Sequence, residues 1–276
     1  MLFVGIIPAR YASTRFPGKP LADLNGQPVI EHVYKQAKKA LDLVYVATDD
    51  TRIADAVTAF GGEAIMTSPT CRCGTERCEE AFRSWLQSTS MNRHQEINDF
   101  VIINIQGDEP FIQPEQIEAL KQCFDSPKTQ IATLVKPYTA EDTLEALENP
   151  NTPKVAIANG EALLFSRSVI PYMRGVDKAE WLHKGQFYKH IGMYAYRADV
   201  LREITQLAPT PLEQAESLEQ LRWLENGYHI RVGLTNIQTI GIDTPEDLEK
   251  AKRVVYTPSV NEVNGLYSFS ERSERS

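Results

Sequence analysis

Three cationic side chains and two hydroxyl side chains are crowded into one loop near the N-terminus. The loop reads Ala9-Arg10-Tyr11-Ala12-Ser13-Thr14-Arg15-Phe16-Pro17-Gly18-Lys19-Pro20 and follows a short apolar run. Guanidinium, ammonium and hydroxyl donors at the end of a strand suit the oxygens of a polyphosphate, which they bind through charge-assisted hydrogen bonds. A solvated loop whose charges only maintain solubility is the competing interpretation, and the loop alone does not decide between the two.

The spacing excludes the two commonest phosphate-binding motifs. A Walker-type loop requires Gly, four residues and then Gly-Lys-Ser/Thr, but Ser13 stands where the first glycine is needed and Pro20 where the hydroxyl is needed. The Gly-x-Gly-x-x-Gly motif of dinucleotide-binding folds is absent as well. The main sequence evidence for a P-loop ATPase or GTPase is therefore missing.

Two aspartates in separate segments are candidates for holding a divalent cation beside such a phosphate. Asp108 follows an apolar run in Gln106-Gly107-Asp108-Glu109-Pro110, and Asp243 follows Ile242 near the C-terminus. Magnesium prefers a few carboxylates together with substrate phosphate oxygens and water. Each aspartate also has a structural interpretation, as a turn residue or a helix cap. With the cationic loop, the two form a coherent metal-assisted nucleotidyl site.

Apolar runs that alternate with helical patterns predict the elements that position these residues. The predicted strands cover 3–7, 44–47, 64–66 and 101–105, and the predicted helices begin at Pro28, cover 51–60 and 75–86, and begin again at Pro114. This alternation is typical of a parallel sheet covered on both faces. Ligands of such sheets gather beyond the carboxyl ends of the strands, where the cationic loop and Asp108 both lie.

The second half of the chain departs from that alternation. Residues 155–158, 162–165 and 188–196 predict antiparallel or hairpin strands, and 175–185 predicts a loop. A helix over 212–225, a strand over 230–234 and a closing helix over 247–255 follow. Gly74-Thr75-Glu76-Arg77 begins a helix for which Thr75 is a candidate N-cap; recognition of a base or ribose by the backbone groups before this helix, with Arg77 nearby, is the alternative interpretation.

Composition narrows the class of protein. The 276 residues carry a formal net charge of −8, which argues against a general nucleic-acid-binding protein. No apolar run approaches the roughly 20 residues that span a bilayer, and no secretory signal pattern is present, so we expect a cytoplasmic protein without a membrane partner. Three cysteines at 71, 73 and 78 fit no standard zinc spacing, and with Cys123 we interpret them as reduced thiols.

Seven motifs, taken in order over residues 2–255, resemble the CMP-Kdo synthetases, which are 3-deoxy-manno-octulosonate cytidylyltransferases. The motifs are IPARYASTRFPGKPL, CGTER, INIQGDEP, FSRSVIP, YKHIGMYAYR, TPLEQAESLEQLRWLENG and GIDTPEDLEKAK. Enzymes that activate sialic acids are less similar, because their first loop usually carries Gly-Gly-Ser-Lys where this chain has Tyr11-Ala12-Ser13-Thr14. Cys73 is a departure from the family, in which a small hydroxyl residue is common at this position.

The resemblance implies a fold and a reaction. The fold is α/β, a mostly parallel Rossmann-like sheet flanked by helices, in one nucleotidyltransferase domain over 1–256. Residues 137–200 form an inserted sugar-binding and dimerisation lobe of a homodimer. Residues 257–276 lie outside the resemblance, and their composition predicts a polar tail. The anomeric hydroxyl of 3-deoxy-manno-octulosonate (Kdo) attacks the α-phosphate of CTP with Mg²⁺, giving CMP-Kdo and pyrophosphate for lipopolysaccharide synthesis. Another acidic C8 or nonulosonic sugar is the alternative substrate.

The resemblance also assigns roles to individual residues. The CTP-binding set is Ala9, Arg10, Ser13, Arg15, Lys19, Gly74, Thr75, Arg77 and Gln106. The Kdo-binding set is Arg167, His190, Tyr194, Glu219 and Gln220, in which Arg167 and His190 suit the sugar carboxylate as a cation or donors. The magnesium ligands are Asp108 and Asp243. The catalytic residues are Arg15, Lys19 and Asp108, the two cations offsetting charge on the leaving pyrophosphate.

Two other classes of protein are weighed against this one. A nucleotide-sugar glycosyltransferase also places acids after a central strand, but usually as a DxD pair, whereas this chain has Asp108-Glu109-Pro110. A non-catalytic nucleotide sensor would need neither a sugar pocket nor paired metal-binding acids.

Overall fold

The fold is known from a computed structural model that describes residues 1–89, 97–238 and 240–253, so the tail predicted over 257–276 lies outside the described residues. The strands are β1 Leu2–Ala9, β2 Asp23–Leu24, β3 Gln27–Pro28, β4 Leu43–Thr48, β5 Ala64–Met66, β6 Phe100–Asn104, β7 Ile131–Pro137, β8 Lys154–Ala158, β9 Glu161–Ser166, β10 Tyr188–Arg197 and β11 Ile230–Leu234. The helices are α1 Val29–Ala37, α2 Thr51–Ala59, α3 Gly74–Ser88, α4 Pro114–Gln122, α5 Leu144–Glu148, α6 Trp181–Lys184, α7 Ala198–Ile204, α8 Pro211–Glu216, α9 Gln220–Glu225 and α10 Pro245–Lys252.

One nine-stranded sheet organises the described residues, in the order β5-β4-β1-β6-β10-β7-β11-β9-β8. The first four strands in that order are parallel, as the sequence predicts. The other half is mixed, because β10 runs antiparallel to both of its neighbours, β11 runs parallel to β7, and β8 and β9 form an antiparallel hairpin. The α/β class is therefore confirmed, while the parallel arrangement holds for only part of the sheet.

Both faces of the sheet are buried, which explains the uninterrupted apolar strands. In β1, Val4 and Ile6 face a core that includes α3, α7 and α9, whereas Ile7 and Ala9 face a core that includes α1, α2 and α4. Because side chains alternate between faces, a strand enclosed on both sides must be apolar at every position. In the part of the chain that the structure describes, no helix has the length and apolar character needed to cross a membrane.

The position of β10 differs from the sequence-based interpretation. The sequence assigns 188–196 to an accessory lobe, but β10 lies in the middle of the main sheet, between β6 and β7. Its residues Ile191, Met193 and Ala195 pack into one core, and Tyr194 and Tyr196 pack into the other. Its partner β7 was not predicted, although its first five residues are fully enclosed.

The structure decides four local questions: a helix prediction and a loop prediction are wrong, and two helix-capping roles that the sequence left open are resolved. The helix predicted over 212–225 is two helices, because Ser217 adopts a left-handed conformation (φ 50°) that ends α8. The loop predicted over 175–185 contains α6, which forms because the buried Trp181 ring stacks on Phe187. Helix α3 begins one residue before Thr75, with Cys73 at its N-cap position.

The fourth concerns Asp243, for which the sequence left a helix-capping role open. Thr244 caps α10, accepting a hydrogen bond from the backbone N–H of Asp247. The Asp243 carboxylate is therefore not used by the helix and projects toward the cationic loop.

Candidate active site

Two segments from elsewhere in the chain approach Pro8, near the carboxyl end of β1. A side chain at Gly107 would place its Cβ 2.8 Å from the Pro8 carbonyl oxygen, and one at Gly74 would place its Cβ 3.3 Å from Pro8 Cγ. Glycine at 107 permits this close approach of two backbones. The turn that carries Asp108 and the N-terminus of α3 are thereby held against the cationic loop.

Tyr11 organises the cationic loop. The backbone N–H groups of Ser13 and Gly18 both donate to the Tyr11 carbonyl oxygen at 2.9 Å. The Tyr11 ring packs on Gly18 and also contacts Arg52, whose guanidinium carbon lies 3.4 Å from the ring centroid. Arg52 is oriented by two side-chain hydrogen bonds to Asp50. Tyr11 and Arg52 received no role from the sequence, where the only signal was an aromatic residue among small and charged ones.

Four of the predicted residues meet in one charge cluster. The Lys19 ammonium lies 2.6 Å from Asp108 Oδ2 and 3.4 Å from Asp243 Oδ1, and Arg15 Nη2 lies 3.1 Å from the same Asp243 oxygen. Lys19 is nearly enclosed, with 12% of its side chain exposed, whereas Arg15 is 67% exposed. The backbone N–H of Ile242 donates to the Asp108 carbonyl oxygen at 2.8 Å, which ties the two acidic segments together.

The donor set of this cluster fits a magnesium ion. The two distances from Lys19 limit the separation of the Asp108 and Asp243 oxygens to about 6 Å, and two oxygens on one Mg²⁺ lie roughly 3–4 Å apart. Among the described residues no group of three or more His, Cys, Asp and Glu side chains is suited to a metal. A pair of hard carboxylate oxygens leaves coordination positions for phosphate oxygens and water, which is the arrangement Mg²⁺ favours.

The other predicted nucleotide-binding residues lie around this edge of the sheet. Arg10 is exposed directly after Ala9, and Ser13 Oγ accepts a hydrogen bond from the Phe16 N–H at 3.5 Å. Gln106 is half-buried in the turn before Asp108.

The side chains of Arg77 and Thr75 bind other side chains of the protein. The buried Arg77 guanidinium donates to Thr67 Oγ1 at 2.6 Å and pairs with Asp49 at 3.3 Å, so it ties the ends of β4 and β5 together. The Thr75 hydroxyl donates to Glu219 Oε2 at 2.9 Å. Neither side chain is directed toward the cationic loop by these contacts.

A second polar cluster surrounds Glu219. Its carboxylate accepts from Cys73 Sγ at 3.2 Å as well as from Thr75, and burial raises the pKa of this carboxyl. Burial, and then the nearby Glu219 charge, raise the pKa of the Cys73 thiol to about 12. The thiol therefore stays protonated and acts as the donor.

Several buried polar atoms beside this cluster have no hydrogen-bond partner within the described structure. They are the hydroxyls of Tyr194 and Tyr196, Nε1 of Trp223, Nε2 of Gln220 and Oδ1 of Asn104. An unsatisfied buried polar group costs about 1–3 kcal/mol, so such a concentration is expected where water or a polar ligand binds.

The last two predicted sugar-binding residues have well-defined contacts. The Arg167 side chain donates to the carbonyl oxygens of Glu216 (2.6 Å), Pro150 (2.9 Å) and Ser217 (3.2 Å), and so supports the break between α8 and α9. His190 Nε2 lies 3.0 Å from Thr133 Oγ1, and burial lowers the pKa of His190 to about 3. The imidazole is therefore neutral at neutral pH, and a cationic role for His190 does not fit the structure.

The architecture is one that solved structures share. It is an α/β sheet with a cationic loop after its first strand and two carboxylates beside that loop. A solved structure described as a putative glucose-1-phosphate thymidylyltransferase from Bacillus anthracis, in complex with a sucrose, shares this fold at only 16% identity. Its TM-score is 0.59, with 94% of this chain and 98% of that chain covered.

Closer relatives define the family. A model of the cytidylyltransferase family matches residues 4–240. The 3-deoxy-manno-octulosonate cytidylyltransferase of Parabacteroides distasonis is 62% identical over 253 residues, which cover 91% of this chain and 97% of that protein. A solved CMP:2-keto-3-deoxy-manno-octonic acid synthetase, complexed with CTP, is 41% identical with a TM-score of 0.78 and covers 91% of this chain and 97% of its own. The chain belongs to the cytidylyltransferase family and, within it, to the 3-deoxy-manno-octulosonate cytidylyltransferases.

Proposed function

We propose that this protein transfers the cytidylyl group of CTP to 3-deoxy-manno-octulosonate. The anomeric hydroxyl oxygen forms a bond to the α-phosphorus, the bond from that phosphorus to the pyrophosphate breaks, and the hydroxyl proton passes to solvent. The observation that carries the proposal is the cluster in which Lys19 and Arg15 meet Asp108 and Asp243, in a chain 62% identical to an enzyme of that name. The activated sugar would serve lipopolysaccharide synthesis.

The cations of the loop bind the triphosphate. Lys19 and Arg15 now neutralise carboxylates, and phosphate oxygens of CTP would compete for the same donors. As negative charge builds on the departing pyrophosphate, these donors stabilise it in a site that excludes part of the solvent. Arg10 and Ser13 follow the end of β1 and Gln106 follows the end of β6, and we propose that they orient the nucleotide.

Asp108 and Asp243 are the residues that would hold magnesium. Bound there, the ion supplies Lewis-acid stabilisation of phosphate charge and lowers the pKa of a nearby hydroxyl. The part played by the protein is to keep the two carboxylates close together, which the backbone hydrogen bond from Ile242 to Asp108 accomplishes.

The sugar is proposed to bind beside Glu219. A polyhydroxylated acidic sugar supplies the donors and acceptors that the unpartnered atoms of Tyr194 and Gln220 lack. Arg167 keeps two of its five N–H groups outside the three hydrogen bonds described, so it remains the candidate for the sugar carboxylate.

The reaction has a direct test. Pyrophosphate release is measured with CTP, Mg²⁺ and either Kdo or a sialic acid, and we expect release with Kdo only. Release with a sialic acid alone would replace the substrate assignment with the alternative nonulosonic sugar. Hydrolysis or transfer from a preformed nucleotide sugar would favour a glycosyltransferase, and CTP binding without turnover on any acidic sugar would favour a nucleotide sensor.

We further propose a cytoplasmic homodimer that associates through residues 137–200. Support for the interface comes from Leu163 and Tyr172, which expose 63% and 73% of their surface on this lobe. Support for the compartment comes from the four cysteines, all of which are unpaired.

The dimer can be tested by adding a charge. Leu163→Glu should halve the molar mass measured by light scattering, because a carboxylate buried in an apolar interface is strongly unfavourable. Met66→Glu is the matched control, since Met66 is 48% exposed on β5 at the opposite edge of the sheet. A monomeric wild-type protein, or dissociation by both substitutions, would contradict the proposed interface.

Gly18→Ala tests the role of Tyr11 in shaping the loop. Gly18 has φ +73°, so an alanine there carries backbone strain of roughly 1–2 kcal/mol. The added Cβ would also lie 3.1 Å from the Tyr11 ring, so the ring must shift. We expect the KM for CTP to rise about tenfold. Gly26→Ala isolates the strain, because Gly26 has φ +89° with no atom within 4 Å of the added Cβ. Equal effects of the two substitutions on the KM for CTP would show that the contact between Tyr11 and Gly18 does not shape the CTP-binding loop.

Cys73 supplies a prediction about pH and donor chemistry. A thiol pKa raised from 9.0 to about 12 keeps Cys73 protonated throughout pH 6–9, so its alkylation at pH 8 should be roughly a thousandfold slower than that of a free thiol. Cys73→Ser keeps a donor to Glu219 and should preserve the KM for Kdo, whereas Cys73→Ala should raise it several-fold. Cys123→Ala is the control, since Cys123 bonds only to the Ala119 carbonyl. Rapid alkylation of Cys73, or an unchanged KM in the alanine variant, would contradict this role.

A further inference from the structure

A bulge in β10 places an unusual set of atoms around one threonine. The register between β10 and β7 shifts between Ile191 and Tyr194, opposite the fully buried Thr133. Thr133 Oγ1 lies 2.9 Å from the Met193 carbonyl oxygen, 3.3 Å from the Ile191 carbonyl oxygen and 3.0 Å from His190 Nε2. One hydroxyl therefore serves both carbonyls of the bulge and the imidazole.

The Thr133 hydroxyl has a single proton, and the acceptor of that proton determines whether Nε2 of His190 is protonated. A threonine hydroxyl has one proton to donate and two lone pairs that accept. The two carbonyl oxygens can only accept, and Thr133 Oγ1 is a donor within reach of both, so we assign its proton to the shorter of these two contacts, to Met193. His190 Nε2 must then be the donor to Thr133, because an unprotonated Nε2 at 3.0 Å would face an oxygen lone pair.

The surroundings keep the imidazole ring neutral, and the contact with Thr133 involves only one of its two nitrogens. Phe165 and Tyr194 pack against the imidazole with ring centroids 5.2 and 5.3 Å away, and burial lowers its pKa to about 3. His190 keeps part of its surface exposed, and its hydrogen bond to Thr133 uses Nε2 and not Nδ1. With the proton on Nε2, Nδ1 carries a lone pair and accepts.

We propose that Thr133 is a positioning residue that locks His190 in the Nε2–H tautomer, so that Nδ1 accepts a hydrogen bond from a hydroxyl of the sugar and not from its carboxylate. A carboxylate has no proton to offer and its oxygens are repelled by the Nδ1 lone pair. His190 then contacts the part of the sugar that carries its hydroxyl groups, away from the sugar carboxylate. The inference rests on the proposed function for its ligand, whereas the tautomer itself does not depend on it.

Nitrogen NMR tests the tautomer without any substrate. In protein labelled with ¹⁵N-histidine, with His190→Gln used for assignment, we expect Nε2 of His190 at a protonated shift and Nδ1 at an unprotonated shift at pH 7. Thr133→Val, which removes the hydroxyl at nearly constant volume, should convert this pattern to exchange-averaged shifts, and Thr133→Ser should restore it. A protonated Nδ1 in wild type, or an unchanged pattern in Thr133→Val, would overturn the proposal.

Kinetics test the ligand. Thr133→Val should raise the KM for Kdo about three- to tenfold, leave the KM for CTP unchanged, and be reversed by Thr133→Ser. His190→Gln, which offers an amide oxygen, should retain more activity than His190→Lys, which offers only a cation. The reverse order would assign His190 to the carboxylate and overturn the proposal. Absence of turnover in wild type would instead count against the proposed function and leave the NMR result standing.

Discussion

Asp108→Asn should lower the rate of pyrophosphate release by on the order of 10³-fold while the protein remains folded. The substitution keeps the shape of the side chain and one oxygen but removes the charge that attracts a divalent cation. The side chain is 32% exposed and its described partner is the Lys19 ammonium, to which the side-chain oxygen of the introduced asparagine can still accept a hydrogen bond, so we expect the fold to survive the substitution. Turnover with CTP and Kdo measures the loss, and circular dichroism with thermal unfolding establishes that the variant is folded.

Asp243→Asn provides the comparison for this result. Asp243 is more exposed (48%), lies farther from Lys19 and is paired with the exposed Arg15, so its loss should reduce turnover less than the loss of Asp108. Glu249→Gln, which alters a surface pair with Lys252, should have no effect on turnover. Near-normal turnover by the folded Asp108→Asn variant would remove Asp108 from the mechanism.

Lys19→Ala should lower kcat/KM for CTP by roughly 10- to 150-fold, the equivalent of losing a charge-assisted contact of roughly 1.5–3 kcal/mol. Lys19 is nearly enclosed and reaches both carboxylates, so no other side chain in the cluster can take its place. Arg15→Ala should have a smaller effect, because Arg15 is 67% exposed and water and salt screen its charge. Equal losses of kcat/KM in the two variants would contradict the prediction that the enclosed Lys19 contributes more to catalysis than the exposed Arg15.

A second measurement separates electrostatics from folding in the Lys19 variant. Without the ammonium, Asp108 and Asp243 repel one another across a short distance, so the melting temperature should fall in the absence of Mg²⁺. Added Mg²⁺ should restore it, and the shift should exceed that of the wild type, in which Lys19 competes for the same oxygens. A melting temperature of the variant that does not respond to Mg²⁺ would indicate that the two acids do not share an ion.

The parallel part of the sheet and the cationic loop were predictable because their causes are local. A strand buried on both faces is predominantly apolar, as β1 is throughout and β6 is except for Asn104, and a polar segment follows each of them. Asp108 was identified because it directly follows such a strand. Arg15, Lys19 and Asp243 were identified from the same kind of local signal, and the family motifs then assigned each of them a role.

The structure of the second half of the chain was less predictable because it depends on tertiary contacts. An antiparallel β10 at the centre of the sheet carries the same apolar pattern as a strand in a separate lobe. The left-handed Ser217 interrupts a helical pattern that is otherwise continuous from 212 to 225. The helix pair is stabilised from outside by Arg167, which lies about 50 residues earlier and donates to carbonyl oxygens at the break.

By itself the sequence determined the chemical groups, the strand ends that carry them and the family to which the chain belongs. Only the tertiary structure decided which groups meet, because the decisive contacts join residues far apart in the chain. Lys19 and Asp243 are 224 positions apart, Thr75 and Glu219 are 144 apart, and Thr133 and His190 are 57 apart. The charge and proton position of each of these groups depend on the burial and the partner that folding supplies.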